Sequence, residues 1–388
     1  MKSGWAIKKL GEVCEILYGF PFESKLFNSD GKGQQVVRIR DVLRGYSETY
    51  TTEKCESKYV LSRGDVLIGM DGDFHMASWK VNGALLNQRV CKIDSGSHIT
   101  NKYLLYVLPV ELKKIWDCKL FSTVKHLSAK DLNGIEVVLP PLPEQKRIVA
   151  KIDAAFEKID KLKANAERNL ANAKELFQSA LDEAMRPKKG WVEKRLGDVA
   201  TIRVGPFGSS LHKADYVPKG VPLINPCHMR ESKIDSNITT CVSTAKANEL
   251  KEYRVCEGDI VFARRGEIGR LAFVSEREEG YLCGTGSLFA RFYEKFDSRF
   301  LYYAFSTKTF VSALEKLSTG TTMKSINSSA LESMSFAVPP VQEQGQIVKR
   351  LDILAEKTEL LEQHYTRQIA DCAEMRQSVL REAFEGRL

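Results

Sequence analysis

Positions 152, 155, 159, 162, 166, 169, 173, 176 and 180 alternate steps of three and four. They carry Ile152, Ala155, Ile159, Leu162, Ala166, Asn169, Ala173, Leu176 and Ala180, with mostly Lys, Glu, Arg, Gln and Asn between them. The pattern returns 199 residues later as Leu351, Leu354, Thr358, Leu361, Tyr365, Gln368, Cys372, Met375 and Val379. A 3–4 repeat held over four heptads predicts a coiled-coil seam with a solvated outer face. Asn169 and Gln368 take equivalent seam positions, where a polar residue fixes register. Pro140-Pro141 and Pro143 place the first helix start near Pro143 or Glu144, and Pro187 stops it. That is a helix of about 44 residues, or ~66 Å. The second runs from about Gln342 to Phe384, with Gly386 as its stop. Two equal helices in one chain favour antiparallel pairing within the molecule, because the effective concentration exceeds that of a second chain.

The remaining sequence is also doubled. Gly4-Trp5…Leu10-Gly11-Glu12-Val13 returns at Gly190-Trp191…Leu196-Gly197-Asp198-Val199, and Pro140-Pro141-Leu142-Pro143-Glu144-Gln145 returns at Pro339-Pro340-Val341-Gln342-Glu343-Gln344. Gly64-Asp65 and Gly258-Asp259 open matching turn-then-strand signals, and 135–139 and 334–338 are short strands. Residues 103–108 and 300–305 are matching helices. The offset grows from 186 to 194 to 199, so the second copy carries about eight extra residues before its Gly-Asp turn and about five after it. The expected architecture is α+β. Two mixed domains at 1–142 and 188–341 alternate with helical segments at 143–187 and 342–388, in a pseudo-two-fold repeat. Where the copies diverge, in their loops, two different ligands would be distinguished.

Net charge is +8, distributed as +4 over 1–142, +1 over 143–187, +5 over 188–341 and −2 over 342–388. Two separate mildly basic bodies suit two contacts with a polyanion. Nine cysteines without a C-x-x-C pair fit reduced thiols in a cytoplasmic protein. No apolar run approaches membrane-spanning length, and the first residues lack the apolar core of a signal peptide.

Catalytic signatures are missing. Asn225-Pro226-Cys227-His228 is a poor match to a methyltransferase loop, and Gly284-Thr285-Gly286 does not open a helix. Asp71-x-Asp73-x-His75 has no supporting carboxylates, so it reads as a polar loop rather than a metal site. No catalytic or metal residue is assigned. Two aligned loops suit nucleic acid instead: Ser122, Thr123, Lys125, His126 and Ser128 in the first copy, and Thr319, Thr321, Thr322, Lys324 and Ser325 in the second. Hydroxyls and lysines serve phosphates, and Lys, His and Ser also reach base edges. Arg38, Arg40 and Arg44 form one arginine cluster, and Arg264, Arg265 and Arg270 form another. Asn87-Gln88-Arg89 adds amides suited to adenine and a guanidinium suited to guanine.

The order of these segments carries a resemblance. Leu-Gly-Glu-Val, Gly-Asp-Val-Leu-Ile, Leu85-Leu86-Asn87-Gln88-Arg89-Val90, Lys125-His126-Leu127-Ser128, Leu-Pro-Pro-Leu-Pro-Glu-Gln and a long helix follow one another. The whole is repeated and closes on Ala383-Phe384-Glu385-Gly386-Arg387-Leu388. This resembles the DNA-specificity subunit (HsdS) of type I restriction–modification enzymes. The resemblance implies two target recognition domains, each reading one half of a split, asymmetric sequence in double-stranded DNA, with the helices as spacer. It implies two modification subunits that carry S-adenosylmethionine and methylate adenine, joined by restriction and translocase subunits. This chain would then hold no cofactor and supply no chemistry. The alternatives are a specificity subunit of a methyltransferase system lacking the restriction motor, and a two-headed coiled-coil scaffold. The second copy has Lys324-Ser325 where the first has Lys125-His126, so a role for His126 does not carry across.

Overall fold

The computed structural model describes residues 4–118, 125–230, 233–293, 296–320 and 324–388. It divides into two compact units, Met1–Ala166 with Arg367–Leu388, and Glu167–Thr366. The division differs from the four segments expected above. Each unit takes one globular domain together with parts of both long helices.

In the first unit an antiparallel sheet runs in the order Glu15–Tyr18, Val90–Asp94, Val66–Gly69, Met76–Ser78. Val66–Gly69 is buried at every position. Its side chains alternate, as a strand requires. Ile68 faces a core with Tyr103, Leu104, Val107 and Leu108 of the helix Asn101–Cys118. Leu67 faces a second core with Val37, Trp79 and Leu86. That second layer is a small sheet in the order Phe27–Asn28, Tyr50–Thr51, Gln34–Val37, Leu85–Leu86, its last pair parallel. Ala6–Lys9 pairs antiparallel with Glu136–Leu139 and closes the domain just before the long helix.

The second unit repeats this plan. Its main sheet is Ala200–Val204, Ser287–Phe292, Ile260–Ala263, Leu271–Phe273, and its small sheet again ends in a parallel pair, Val221–Ile224 with Leu282–Cys283. The extra residues expected before its Gly-Asp turn include the strands Met229–Arg230 and Lys233–Ile234 and the helix Thr244–Glu249. The expected helix pair differs in form. Asn101–Cys118 continues through Pro109, whereas the second copy breaks into Ser298–Phe305 and Lys308–Lys316, with the Thr307 hydroxyl capping the latter.

The long helices are Leu142–Ala184 and Val341–Phe384. Each is pinned where it leaves its domain by the glutamine of the repeated Pro-Pro-x-x-Glu-Gln string. Gln145, fully buried, accepts from the Thr100 N–H at 2.9 Å and donates to the His98 and Pro140 carbonyls, each at 2.9 Å. Gln344 accepts from the Asp297 N–H at 3.3 Å and donates to the Pro339 carbonyl at 3.1 Å. The second helix ends on Gly386 at φ +78°, where Gly386 N–H reaches Ala383 O and Arg387 N–H reaches Glu382 O. That is the paired bonding of a left-handed glycine cap.

The pairing is antiparallel and intramolecular. In the first unit Arg376 meets Asp160, Arg147 donates to the Leu388 carbonyl at 2.8 Å, and Phe384 packs edge-on against Tyr103. In the second unit Lys174 approaches Glu362 at 3.8 Å.

Burial refines the expected seam. Ile152, Ile159, Ala166 and Ala173 are buried, one per heptad, as are Leu351, Thr358 and Cys372. Leu162, Leu354, Tyr365, Gln368 and Val379 are half-buried. Asn169 is exposed, as are Leu176 at 54%, Met375 at 47% and Leu361 at 40%. The buried stripe turns toward the domains at its ends. Leu181 and Met185, with Phe177 beside them, pack into the second domain's core, and Ala383 into the first domain's.

Candidate nucleic-acid interface

Strand ends converge at one corner of each domain, and the backbone there is built identically twice. In the first domain Met70 N–H donates to Arg89 O at 2.8 Å, Leu127 N–H to Met70 O at 2.7 Å, and Gly72 N–H to Lys125 O at 2.9 Å. In the second, Arg264 N–H donates to Gly286 O at 2.9 Å, Ile326 N–H to Arg264 O at 3.0 Å, and Gly266 N–H to Lys324 O at 3.3 Å. Asp71 bridges His126 as Arg265 bridges Ser325. Glycine permits the close crossing behind each corner. A Cβ on Gly19 would fall 2.0 Å from Asn87 O, and one on Gly205 would fall 2.0 Å from Gly284 O.

The side chains on this shared backbone differ. In the first domain the Asp71 carboxylate lies 2.6 Å from His126 Nδ1 and 3.7 Å from Arg89 Nε, and Arg89 Nη1 is 3.5 Å from the same imidazole nitrogen. Arg89 sits at φ +73°, in the left-handed region. For a residue other than glycine that conformation costs on the order of 1 kcal/mol and often marks a working site. Gln88 is exposed beside it. Asn87 is not at the surface. It is buried, and its Oδ1 has no hydrogen-bond partner. Lys125 is turned inward, its Nζ 3.2 Å from the centre of the Trp116 ring and 2.8 Å from the Trp116 carbonyl. Ser128 spends its hydroxyl capping the helix Ala129–Asn133. Ser122 and Thr123 lie outside the described residues.

Arg38, Arg40 and Arg44 are all exposed, on and after the turn that follows Gln34–Val37. Arg38 N–H bonds Asp41 at 2.9 Å, and Arg40 stands 3.9 Å from the same buried carboxylate. Ile39 packs against Gly69, where a Cβ would be 3.0 Å from its Cγ2, so Arg38 and Arg40 flank the corner. Arg44 lies further along, its carbonyl accepting from Lys80 at 3.3 Å.

In the second domain Arg264 is half-buried, its guanidinium 5.6 Å from the exposed Phe207 ring and its Nε 3.3 Å from Ile326 O. Burial, and then the charge of Arg265, lower its pKa, although the group stays a cation. Arg265 is exposed. Arg270 ties its own turn, pairing with Glu267 and donating to Pro226 O at 3.1 Å. Thr319 and Ser325 exchange both backbone bonds, 2.9 and 2.8 Å, as an antiparallel bridge, and Lys324 is exposed. Thr321 and Thr322 lie outside the described residues. Asn225-Pro226-Cys227-His228 occupies the place of Arg38–Asp41 as a tight turn, with Asn225 N–H donating to His228 Nδ1 at 3.1 Å. Burial lowers the His228 pKa.

Two residues at the corners went unrecognised in the sequence. Asp71 belongs to no metal site among the described residues, and its carboxylate faces His126 and Arg89. Asn225 opens a tight turn rather than a methyltransferase loop. Their alignment with Arg265 and Arg38 was the available signal.

A doubled frame that presents two different polar side-chain sets on one backbone design defines a double-headed recognition protein. The chain belongs to the family described as the type I restriction modification DNA specificity domain, which it matches over residues 2–170 and again over 188–369. It is 28% identical to the type I restriction enzyme EcoBI specificity subunit of Escherichia coli, over all of this chain and 86% of that one. It is 23% identical to the MjaVIII specificity subunit of Methanocaldococcus jannaschii, covering 89% and 85%. Its fold is similar to a chain from a type I restriction–modification complex whose assembly and conformational transition were described, with a TM-score of 0.77 at 20% identity, covering 100% and 99%. It is also similar to the HsdS subunit of Thermoanaerobacter tengcongensis, with a TM-score of 0.56 at 20% identity, covering 100% and 98%. Among the described residues no helix is long and apolar enough to cross a membrane.

Proposed function

We propose that the two corners read the two halves of a split, asymmetric sequence in double-stranded DNA. The carrying observation is the repeated backbone staple bearing Asp71, Arg89 and His126 in one copy and Arg265, Gly286 and Ser325 in the other. One backbone with two side-chain sets suits two non-identical half-sites. Arginine and histidine address base edges, and the arginines and lysines around them address phosphates. The near-symmetric helices suit two copies of one modification subunit, which would carry S-adenosylmethionine and methylate adenine. Restriction and translocase subunits complete the assembly.

The helical pair sets the gap between the half-sites. Removing one matched heptad from each helix shortens it by about 10 Å, or about three base pairs. The test is to express the chain with its modification subunits and map methylated adenines across a genome. The wild type should give one bipartite, non-palindromic motif. Exchanging residues 1–142 for another such domain should change one half-site, and the heptad deletion should shorten only the gap. A change in both half-sites on exchange refutes the division of reading, and an unaltered gap refutes the spacer.

A further inference from the structure

The cluster at the first corner contains an acidic residue, Asp71, among groups suited to bases. We propose that Asp71 is the positioning residue that sets the specificity of the first domain, holding His126 and Arg89 as one unit against a base edge. The inference rests on the reading of the corners as DNA-reading surfaces.

Exposure orders the three side chains. Asp71 is 22% exposed, His126 45% and Arg89 57%, so the carboxylate forms the floor and the imidazole and guanidinium stand above it. Asp71 Oδ1 meets His126 Nδ1 at 2.6 Å, and Oδ2 faces Arg89 Nε at 3.7 Å. The first contact fixes the plane of the imidazole. The second restrains a long guanidinium that is already committed by its left-handed backbone. Both effects reduce the freedom that would be lost on meeting DNA. Asp73 does not join the cluster as a metal site would require. It faces His75 at 3.8 Å instead.

The second domain supplies the control. The same backbone bonds form there with Arg265 in the place of Asp71. The staple therefore does not need the carboxylate, and removing it should leave the corner folded. What it changes is where His126 and Arg89 point. Arginine matches the acceptors of guanine, and histidine extends the contact to a neighbouring edge. A carboxylate close to phosphates is otherwise unfavourable, so its position under two basic groups indicates orientation rather than affinity.

The experiment uses Asp71→Ala and Asp71→Asn, with Arg265→Ala as the second-domain control, each assembled with the modification subunits. Methylated adenines are mapped and thermal unfolding is recorded. Expected for both Asp71 variants is a blurred base preference at one or two positions of the half-site assigned to residues 1–142. The ratio of cognate to singly mismatched methylation should fall about tenfold. The other half-site and the melting temperature should not move. Arg265→Ala should blur only the other half-site. An unchanged motif overturns the proposal. So does a uniform change in methylation at all sites, which marks a general charge effect, or a melting loss with no base change, which marks a structural one. If the wild type itself shows no bipartite motif, the reading of the corners has failed instead.

Discussion

Gln145→Ala tests what attaches the long helix to its domain. The side chain is fully buried and makes three hydrogen bonds, all at 2.9 Å, to Thr100 N–H, His98 O and Pro140 O. Each bond is worth about 1 kcal/mol net, and a buried group left without a partner costs about 1–3 kcal/mol. The substitution should therefore destabilise the junction by about 3 kcal/mol. Gln344→Ala removes two longer bonds, 3.3 and 3.1 Å, and should cost about half as much. The junction is one part of a chain with two units, so the readout should be local. Hydrogen exchange followed by mass spectrometry on the peptide containing Thr100 meets that need. About 3 kcal/mol corresponds to roughly a hundredfold loss of protection. Unchanged protection at Thr100, or a greater cost for Gln344→Ala than for Gln145→Ala, would refute the pinning argument.

Arg89→Gly should separate stability from reading. Relief of the φ +73° backbone should offset part of the glycine entropy cost, holding thermal stability within about 1 kcal/mol of wild type, while methylation loses discrimination in one half-site; a large stability loss with an intact motif would contradict this. Tyr106 donates to Asp153 near the start of the first long helix, and burial followed by that carboxylate pushes its pKa up to about 12. A raised pKa gives stabilisation that is complete below the unfolded value of about 10 and lost as pH climbs from there toward 12. Unfolding midpoints measured against pH should thus converge for wild type and Tyr106→Phe in that window, and a constant difference would exclude the linkage.

The frame was legible in the sequence because its signals are local. Proline and glycine punctuation placed the long helices within a residue or two of Leu142–Ala184 and Val341–Phe384. Strand patterns before each Pro-Pro placed Glu136–Leu139 and Ser335–Val338. The seam was legible in period and only partly in burial. Leu176 is apolar and in phase, yet the final turns bury Phe177 and Leu181 against the domain instead. The corners were less legible because three segments build each one. Residues 71, 89 and 126 meet through backbone bonds between strand ends, and no spacing rule announces such a meeting. Asn87 shows the cost. Its type suits adenine, but the close crossing at Gly19 buries it. Gln145 errs the other way. It was visible as part of a repeated motif, but its work depends on the carbonyls of His98 and Pro140 being left without strand partners.

The two halves diverge in a way that follows from how such a corner is held. Main-chain bonds fix the three segments, so side chains at the tips carry little of the folding burden. Substitution there is cheap for stability and consequential for recognition. The exchange of Asp71 for Arg265 and His126 for Ser325 changes the side chains at the tip while the same hydrogen bonds persist. The glutamine pins behave oppositely. They satisfy backbone groups at the junction, and the same residue stands in both copies. Symmetry in the helices and asymmetry in the corners thus have one physical origin: polar side chains are constrained where the backbone depends on them and released where it does not.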